Sequence, residues 1–156
     1  VDRHVEPAQK VTDEMSAFPA GHSVVVGVDG SPQGDGALSM ATEEARLRDE
    51  QLIVIFAFRP IPTAFVAMSH EDLPELQEEA EATLKGILGR GPSREGIDVV
   101  AKTVPGDPAE VLIEASSNAA VLVVGSRGRG GFEGLRVGSV SNKCLHHAHC
   151  PVLVVR

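Results

Sequence analysis

The sequence predicts an α/β domain, an open parallel sheet of five strands with helices on both faces. Three observations carry that expectation. Short runs rich in valine, isoleucine and leucine recur, as at Val24, Val25, Val26 and again at Val121, Leu122, Val123, Val124, the continuous kind buried on both sides in a parallel sheet. Between them lie stretches whose apolar residues repeat every three or four positions, the helical period. Near the end an apolar run, a glycine-rich segment, a helical pattern and a second apolar run follow one another as a βαβ unit with a loop in its middle. Right-handed crossovers then leave few topologies.

Residues 1–20 mix charge with Pro7 and Pro19 and show no sustained period, so they are expected to form a tail outside a single domain of residues 21–156. The first strand is expected over 23–28. It ends at Asp29-Gly30-Ser31-Pro32, where Ser31 suits a helix cap and Pro32 the first helical position. That helix should run to about Arg48 with Ala37, Leu38, Ala41 and Ala45 on one stripe. The second strand, 52–58, stops before Pro60 and Pro62, which cannot donate to a ladder. Residues 63–70 read as a loop near the ligand side. A helix is expected over 71–88, with Leu73, Leu76, Ala80, Leu84, Ile87 and Leu88 facing the core; its acidic first half reads as a solvated face rather than a metal site. After a turn-rich link at 89–96, the third strand is expected over 97–103.

Asp107, Pro108 and Glu110 together make a helix start, so both acids are read as structural; the helix should end near Asn118, before the fourth strand at Val121. After Gly138 the last helix presents Val140, Cys144, Leu145 and Ala148. The last strand is Val152–Val155.

The 156 residues and 42% hydrophobic content are those of one globular domain with its own core. No apolar run approaches the roughly 20 residues of a membrane span, and Val1-Asp2-Arg3-His4 lacks a signal-peptide layout. A cytoplasmic protein without a membrane partner is expected. Cys144 and Cys150 are too few and too close for a disulfide framework, so reduced thiols are expected. The net charge of −8 argues against nucleic acid, yet it is uneven: residues 120–156 carry Arg127, Arg129, Arg136, Lys143 and Arg156 against the single acid Glu133. The one basic region coincides with the glycine loop.

In that loop Gly125, Gly128, Gly130 and Gly131 would let the backbone take positive φ and approach a bound group, while Gly138, Ser139 and Ser141 place amides and hydroxyls where a helix begins. This is chemistry for holding phosphate. The spacing Gly125-x2-Gly128-x9-Gly138-Ser139 resembles the nucleotide-binding motif of the universal stress protein family. Gly27-Val28-Asp29-Gly30-Ser31 and the closing Leu145-His146-His147-Ala148-x-Cys150-Pro151-Val152 resemble that family too, so the likeness spans about residues 23–156.

The resemblance implies the strand order 3-2-1-4-5, a Rossmann-like arrangement in which the Asp29 and Gly125 loops face each other across a crevice. It implies that Asp29 meets a ribose and that backbone near Phe58 meets the base. Gly125, Gly128, Gly138, Ser139, Val140 and Ser141 would wrap the phosphates, with Arg127, Arg129 and Gly130 as an accessory loop. The implied ligand is ATP, with Mg2+ or Mn2+ held mainly through the phosphates; cyclic AMP is the variant that needs fewer amides. Family members commonly dimerise through the edge strand, here Val152–Val155, and the bound state is expected to alter the surface for a protein partner.

Three rival nucleotide sites fail on the residues. The first strand-to-helix turn, Gly27-Val28-Asp29-Gly30, lacks the dinucleotide glycine pattern, and no Gly-Lys pair exists for a P-loop. A response regulator would need an acidic pair where Asp29 stands alone. His146, His147, His149, Cys144 and Cys150 could suggest a metal, but neighbours on a helix point about 100° apart and cannot all converge. Helix-end imidazoles fit the C-terminal dipole instead. Asp29 and Glu133 are the only acids in the motif region, so any ATP hydrolysis should be slow and the chain is read as a binding module. A slow ATPase and a structural dimer without nucleotide stand as the alternatives.

Overall fold

The computed structural model describes residues 22–59, 73–129 and 137–156. The expected N-terminal tail, the loop at 63–70 and Gly130, Gly131, Glu133 and Arg136 lie outside the described residues. The elements run β1 (Ser23–Gly27), α1 (Pro32–Arg48), β2 (Gln51–Phe58), α2 (Leu73–Arg90), β3 (Val99–Pro105), α3 (Pro108–Ala115) with a 3-10 turn at Ser116–Asn118, β4 (Val121–Gly125), α4 (Ser139–His147) and β5 (Val152–Val155). The five strands form one parallel sheet in the order β3-β2-β1-β4-β5. Val25 lies opposite both Ile53 and Leu122, which sets the register at the centre.

Alternation along each strand sorts the core into two layers. Val24, Val26, Leu52, Val54 and Val123 pack under α1 and α2 through Ala37, Leu38, Ala41, Leu84 and Ile87. Val25, Ile53, Ile55, Leu122 and Val124 pack under α3 and α4 through Val111, Leu112, Ala115 and Cys144. Both faces of the central strands are therefore dry, which is why they read as unbroken valine runs. No described helix is long and apolar enough to cross a membrane.

The caps follow the local chemistry. Ser31 precedes Pro32 and its hydroxyl accepts from the Gly34 amide at 3.0 Å, while the Asp107 carboxylate accepts from the Ala109 and Glu110 amides. Three expectations shift. β3 starts two residues later than expected because Ile97 closes a turn onto the Arg94 carbonyl at 3.1 Å, and it runs through Pro105, which an edge strand tolerates. α2 continues through Gly89 to Arg90, since the Arg94 guanidinium satisfies the Leu88 carbonyl at 2.9 Å and Arg90 clasps both oxygens of Asp35. Leu145 is 48% exposed and Leu73 38%, so neither belongs to the core stripe drawn for it.

β4 ends hard against the first turn of α1. A Cβ on Gly125 would stand 2.8 Å from the Gln33 carbonyl carbon and 2.9 Å from its oxygen, backbone atoms that cannot rotate away. Gly125→Ala is expected to lower stability by about 1–3 kcal/mol in chemical denaturation, the usual cost of overpacking.

Candidate functional site

The chain leaves β1 and β4 toward opposite faces of the sheet, which opens a crevice at their carboxyl ends. A cavity of about 430 Å³ occupies it, within the range of small-molecule sites. Val28, Ile55, Ala57, Leu112, Val124 and Val140 supply an apolar floor. Asp29, Arg127, Arg129, Ser139 and Ser141 supply the polar rim.

The expected phosphate residues converge here: Gly125, Gly128, Gly138, Ser139, Val140 and Ser141 all line the cavity together with Arg127 and Arg129. Gly138 is the N-cap of α4 with φ −74° and ψ 169°, and no side chain caps the helix. The first intrahelical bond is donated by Asn142 to the Gly138 carbonyl at 2.9 Å, so the amides of Ser139, Val140 and Ser141 have no acceptor within the helix. α1 and α3, by contrast, are closed by Ser31 and Asp107.

The glycines act differently from the expectation. Among the described glycines only Gly30, Gly96 and Gly106 have positive φ; Gly125, Gly128 and Gly138 do not. At Gly125 and Gly128 the requirement is space. A Cβ on Gly128 would lie 2.5 Å from Asp29 Oδ2, whereas one on Gly138 would meet nothing closer than 3.5 Å.

Polar atoms of the loop are tied to the frame. The Ser126 amide donates to the Val155 carbonyl and the Ser126 carbonyl accepts from the Gly138 amide, each at 2.6 Å. The buried Ser141 hydroxyl donates to the Gly125 carbonyl at 2.5 Å, which fixes α4 to the end of β4. Asp29 is likewise engaged: Oδ1 accepts from the Ser31 amide at 3.0 Å and hydroxyl at 2.6 Å, and Oδ2 from the Arg129 amide at 2.9 Å.

Phe58 is not among the lining residues. Its carbonyl accepts from the Gly106 amide at 2.8 Å, and the β2 contribution to the floor comes from Ile55 and Ala57 instead. Sequence reasoning missed the wall on the other side, Pro108 and Leu112 of α3. The helix-start signal at Asp107 was the available clue, because in this strand order the start of α3 borders the same crevice. That start is pinned to the exit of β2 by an ion pair between Arg59 and Asp107. Burial works against the charge on Asp107, but the Glu110 amide, Arg59, Lys143 and the Ala109 amide outweigh it and hold the carboxyl below its usual range.

No cluster of three or more His, Cys, Asp or Glu side chains suited to a metal exists among the described residues. His146 and His147 occupy the last turn of α4 with rings 6.3 Å apart. Cys144 is fully buried, and that burial, reinforced by Asp107 and Cys150, pushes its thiol up to about 11. Burial raises Cys150 as well.

Comparison with known proteins matches the Universal stress protein family over residues 22–156. A curated relative, Universal stress protein Rv2005c of Mycobacterium tuberculosis, is 39% identical over 145 residues, covering 92% of this chain and 48% of its own length. The chain thus spans about half the length of the curated relatives it matches. A solved universal stress protein in complex with cAMP is similar at 26% identity and TM-score 0.66, over 88% of this chain and 99% of that one. The universal stress protein from Archaeoglobus fulgidus in complex with dAMP, at 24% identity and TM-score 0.59 over 88% and 100%, shares the fold.

The thiol environment gives a direct check. At neutral pH iodoacetamide should label Cys150 slowly and leave Cys144 unmodified, with Cys144 reacting only in denaturant, as read by peptide mass spectrometry.

Proposed function

The chain belongs to the universal stress protein family, and on that premise we propose that its crevice binds an adenine nucleotide, base on the apolar floor and phosphate on the first turn of α4. The observation that carries this reading is the uncapped N-terminus of α4 opening into a cavity with an apolar floor. Amides at a helix start, aided by its dipole, attract an anion. Arg127 and Arg129 at the rim add charge of the right sign.

Within that class two ligands are distinguished. A relative at 26% identity was solved with cAMP, and one phosphate is what a single helix turn holds, which favours cyclic AMP. ATP, implied by the glycine spacing, would set its further phosphates against Arg127 and Arg129. Those phosphates would then carry Mg2+ or Mn2+, the ion supplying charge neutralisation and taking its ligands mainly from phosphate and water. We read the protein as a binding module rather than an efficient ATPase, because Asp29, the one acid among the lining residues, already holds two segments of chain. Nucleotide occupancy would then alter the rim presented to a protein partner.

The same proposal includes a homodimer through β5. That strand is the sheet edge, its four residues are half-buried, and an unpaired edge is a template for a second copy. Sedimentation at micromolar concentration should give twice the mass of 16.4 kDa; a monomer would contradict the pairing.

Titration calorimetry with cAMP, AMP and ATP·Mg2+ tests the ligand class. Binding below millimolar is expected for at least one. An intact fold with no heat from any of the three would end the reading. Gly138→Asp makes a sharper test, since a side chain fits there and would cap α4 itself. It should leave stability equal or raised by a few tenths of a kcal/mol, yet weaken nucleotide by about tenfold or more, because the cap occupies the amides and repels phosphate.

A further inference from the structure

Little side-chain burial holds α4 to the sheet. The helix is nine residues long and buries only Ser141 and Cys144. Helical spacing calls for an apolar side chain three positions before Cys144, yet the chain carries a hydroxyl there, 4% exposed and lining the cavity. That hydroxyl donates to the Gly125 carbonyl at 2.5 Å. The pairing of β4 with β1 ends at Val123, two residues short of Gly125, so Ser141 closes a carbonyl that the β1 ladder does not reach. The next residue holds the other end of the turn, since the Ser126 carbonyl accepts from the Gly138 amide at 2.6 Å.

We propose that Ser141 is a positioning residue for the phosphate turn: its hydroxyl holds the first turn of α4 against the end of β4, and the residue offers a ligand its amide alone. A serine hydroxyl has one proton to give, and an ionised phosphate takes only donors. Here that proton is already placed on Gly125. Gly138 and Ser141, the two ends of the turn, are thus fixed to the consecutive residues Ser126 and Gly125. Holding the free amides in place before the ligand arrives removes an entropic cost from binding. The inference rests on the nucleotide reading above and deepens it by separating what Ser141 holds from what it offers.

Backbone NMR of the full chain without ligand tests the tie alone. Ser141→Ala should move the Gly125 carbonyl carbon upfield. It should also speed exchange of the Asn142 amide, which closes the first turn on the Gly138 carbonyl, by about tenfold beyond any change at Val25 and Ile53. A general loss of stability would speed all three alike. Ser141→Thr keeps the donor and should match the wild-type chain in both readouts. A Gly125 carbonyl and an Asn142 amide indifferent to loss of the hydroxyl overturn the proposal.

The nucleotide arm shows where the hydroxyl points when the site is full. Dissociation constants of cyclic AMP and ATP·Mg2+ should rise by about tenfold in Ser141→Ala and return in Ser141→Thr. Adenosine, with no phosphate for the turn to hold, should lose less than twofold; losses equal to those of the nucleotides overturn the proposal. The difference in Gly125 carbonyl shift between the wild-type and Ser141→Ala chains should persist when both are saturated with the tighter nucleotide. If it vanishes, the hydroxyl has turned to the phosphate and the proposal is overturned. Should the alanine variant not fold, a crystal structure of the wild-type chain with that nucleotide decides the same point: Ser141 Oγ on the Gly125 carbonyl supports the tie, and Oγ on a phosphate oxygen overturns it. If the wild-type chain binds neither nucleotide, the reading of the cleft is what fails, and the ligand-free measurements still decide the tie.

Discussion

A parallel sheet whose chain reverses between β1 and β4 leaves their exits side by side but holds nothing across them, because the ladder bonds stop where the strands stop. The hydrogen bond from the Arg129 amide to Asp29 supplies a join at that place. Around it the neighbouring sequence is constrained in a specific way: Ser31 must present both an amide and a hydroxyl, and positions 34 and 128 must carry no side chain. The start of α1 and the loop after β4 are therefore built around one carboxylate. The cavity between the sheet ends and α4 keeps its shape because of them.

The glycines of the motif region make the same point about space. A glycine-rich loop invites the assumption of unusual backbone angles, yet Gly125 and Gly128 have ordinary ones and are needed because another part of the chain comes too close. Gly125 lets α1 lie against the end of β4, and Gly128 lets Asp29 reach across. Gly138 is the exception, with room around it and no left-handed angle. Its lack of a side chain leaves the first turn of α4 unclosed, which is a chemical consequence rather than a steric one.

Much of the architecture was legible because it is local. The caps at Ser31 and Asp107, the valine runs and the start of α4 at Gly138 are each specified within a few residues, and each appears where the sequence put it. The start of β3 was misjudged because Ile97 is apolar and joins the core from a turn, so composition alone could not separate it from the strand. Leu145 was assigned to the core by helical spacing, but α4 is short and buries only Ser141 and Cys144. The roles of Asp29, Phe58 and Leu112 depend on partners from distant elements: a carbonyl-to-Gly106 bond, a hundred-residue tie and a helix packed beside another strand. For Asp29 and Phe58 the residues themselves carry no signature of these partners, and for Leu112 only the helix start at Asp107 hinted at the wall.

The tie between β5 and the glycine loop has a thermodynamic consequence. From the Val155 carbonyl the path runs through the Ser126 amide, then from the Ser126 carbonyl to the amide of Gly138, two short bonds from the sheet margin to the mouth of the cavity. Any association along that margin and any occupation of that mouth would therefore act on the same few main-chain atoms. Where each favours one setting of those atoms, reciprocity makes the effect run both ways by an equal factor, so that affinity for a small molecule would become a function of protein concentration.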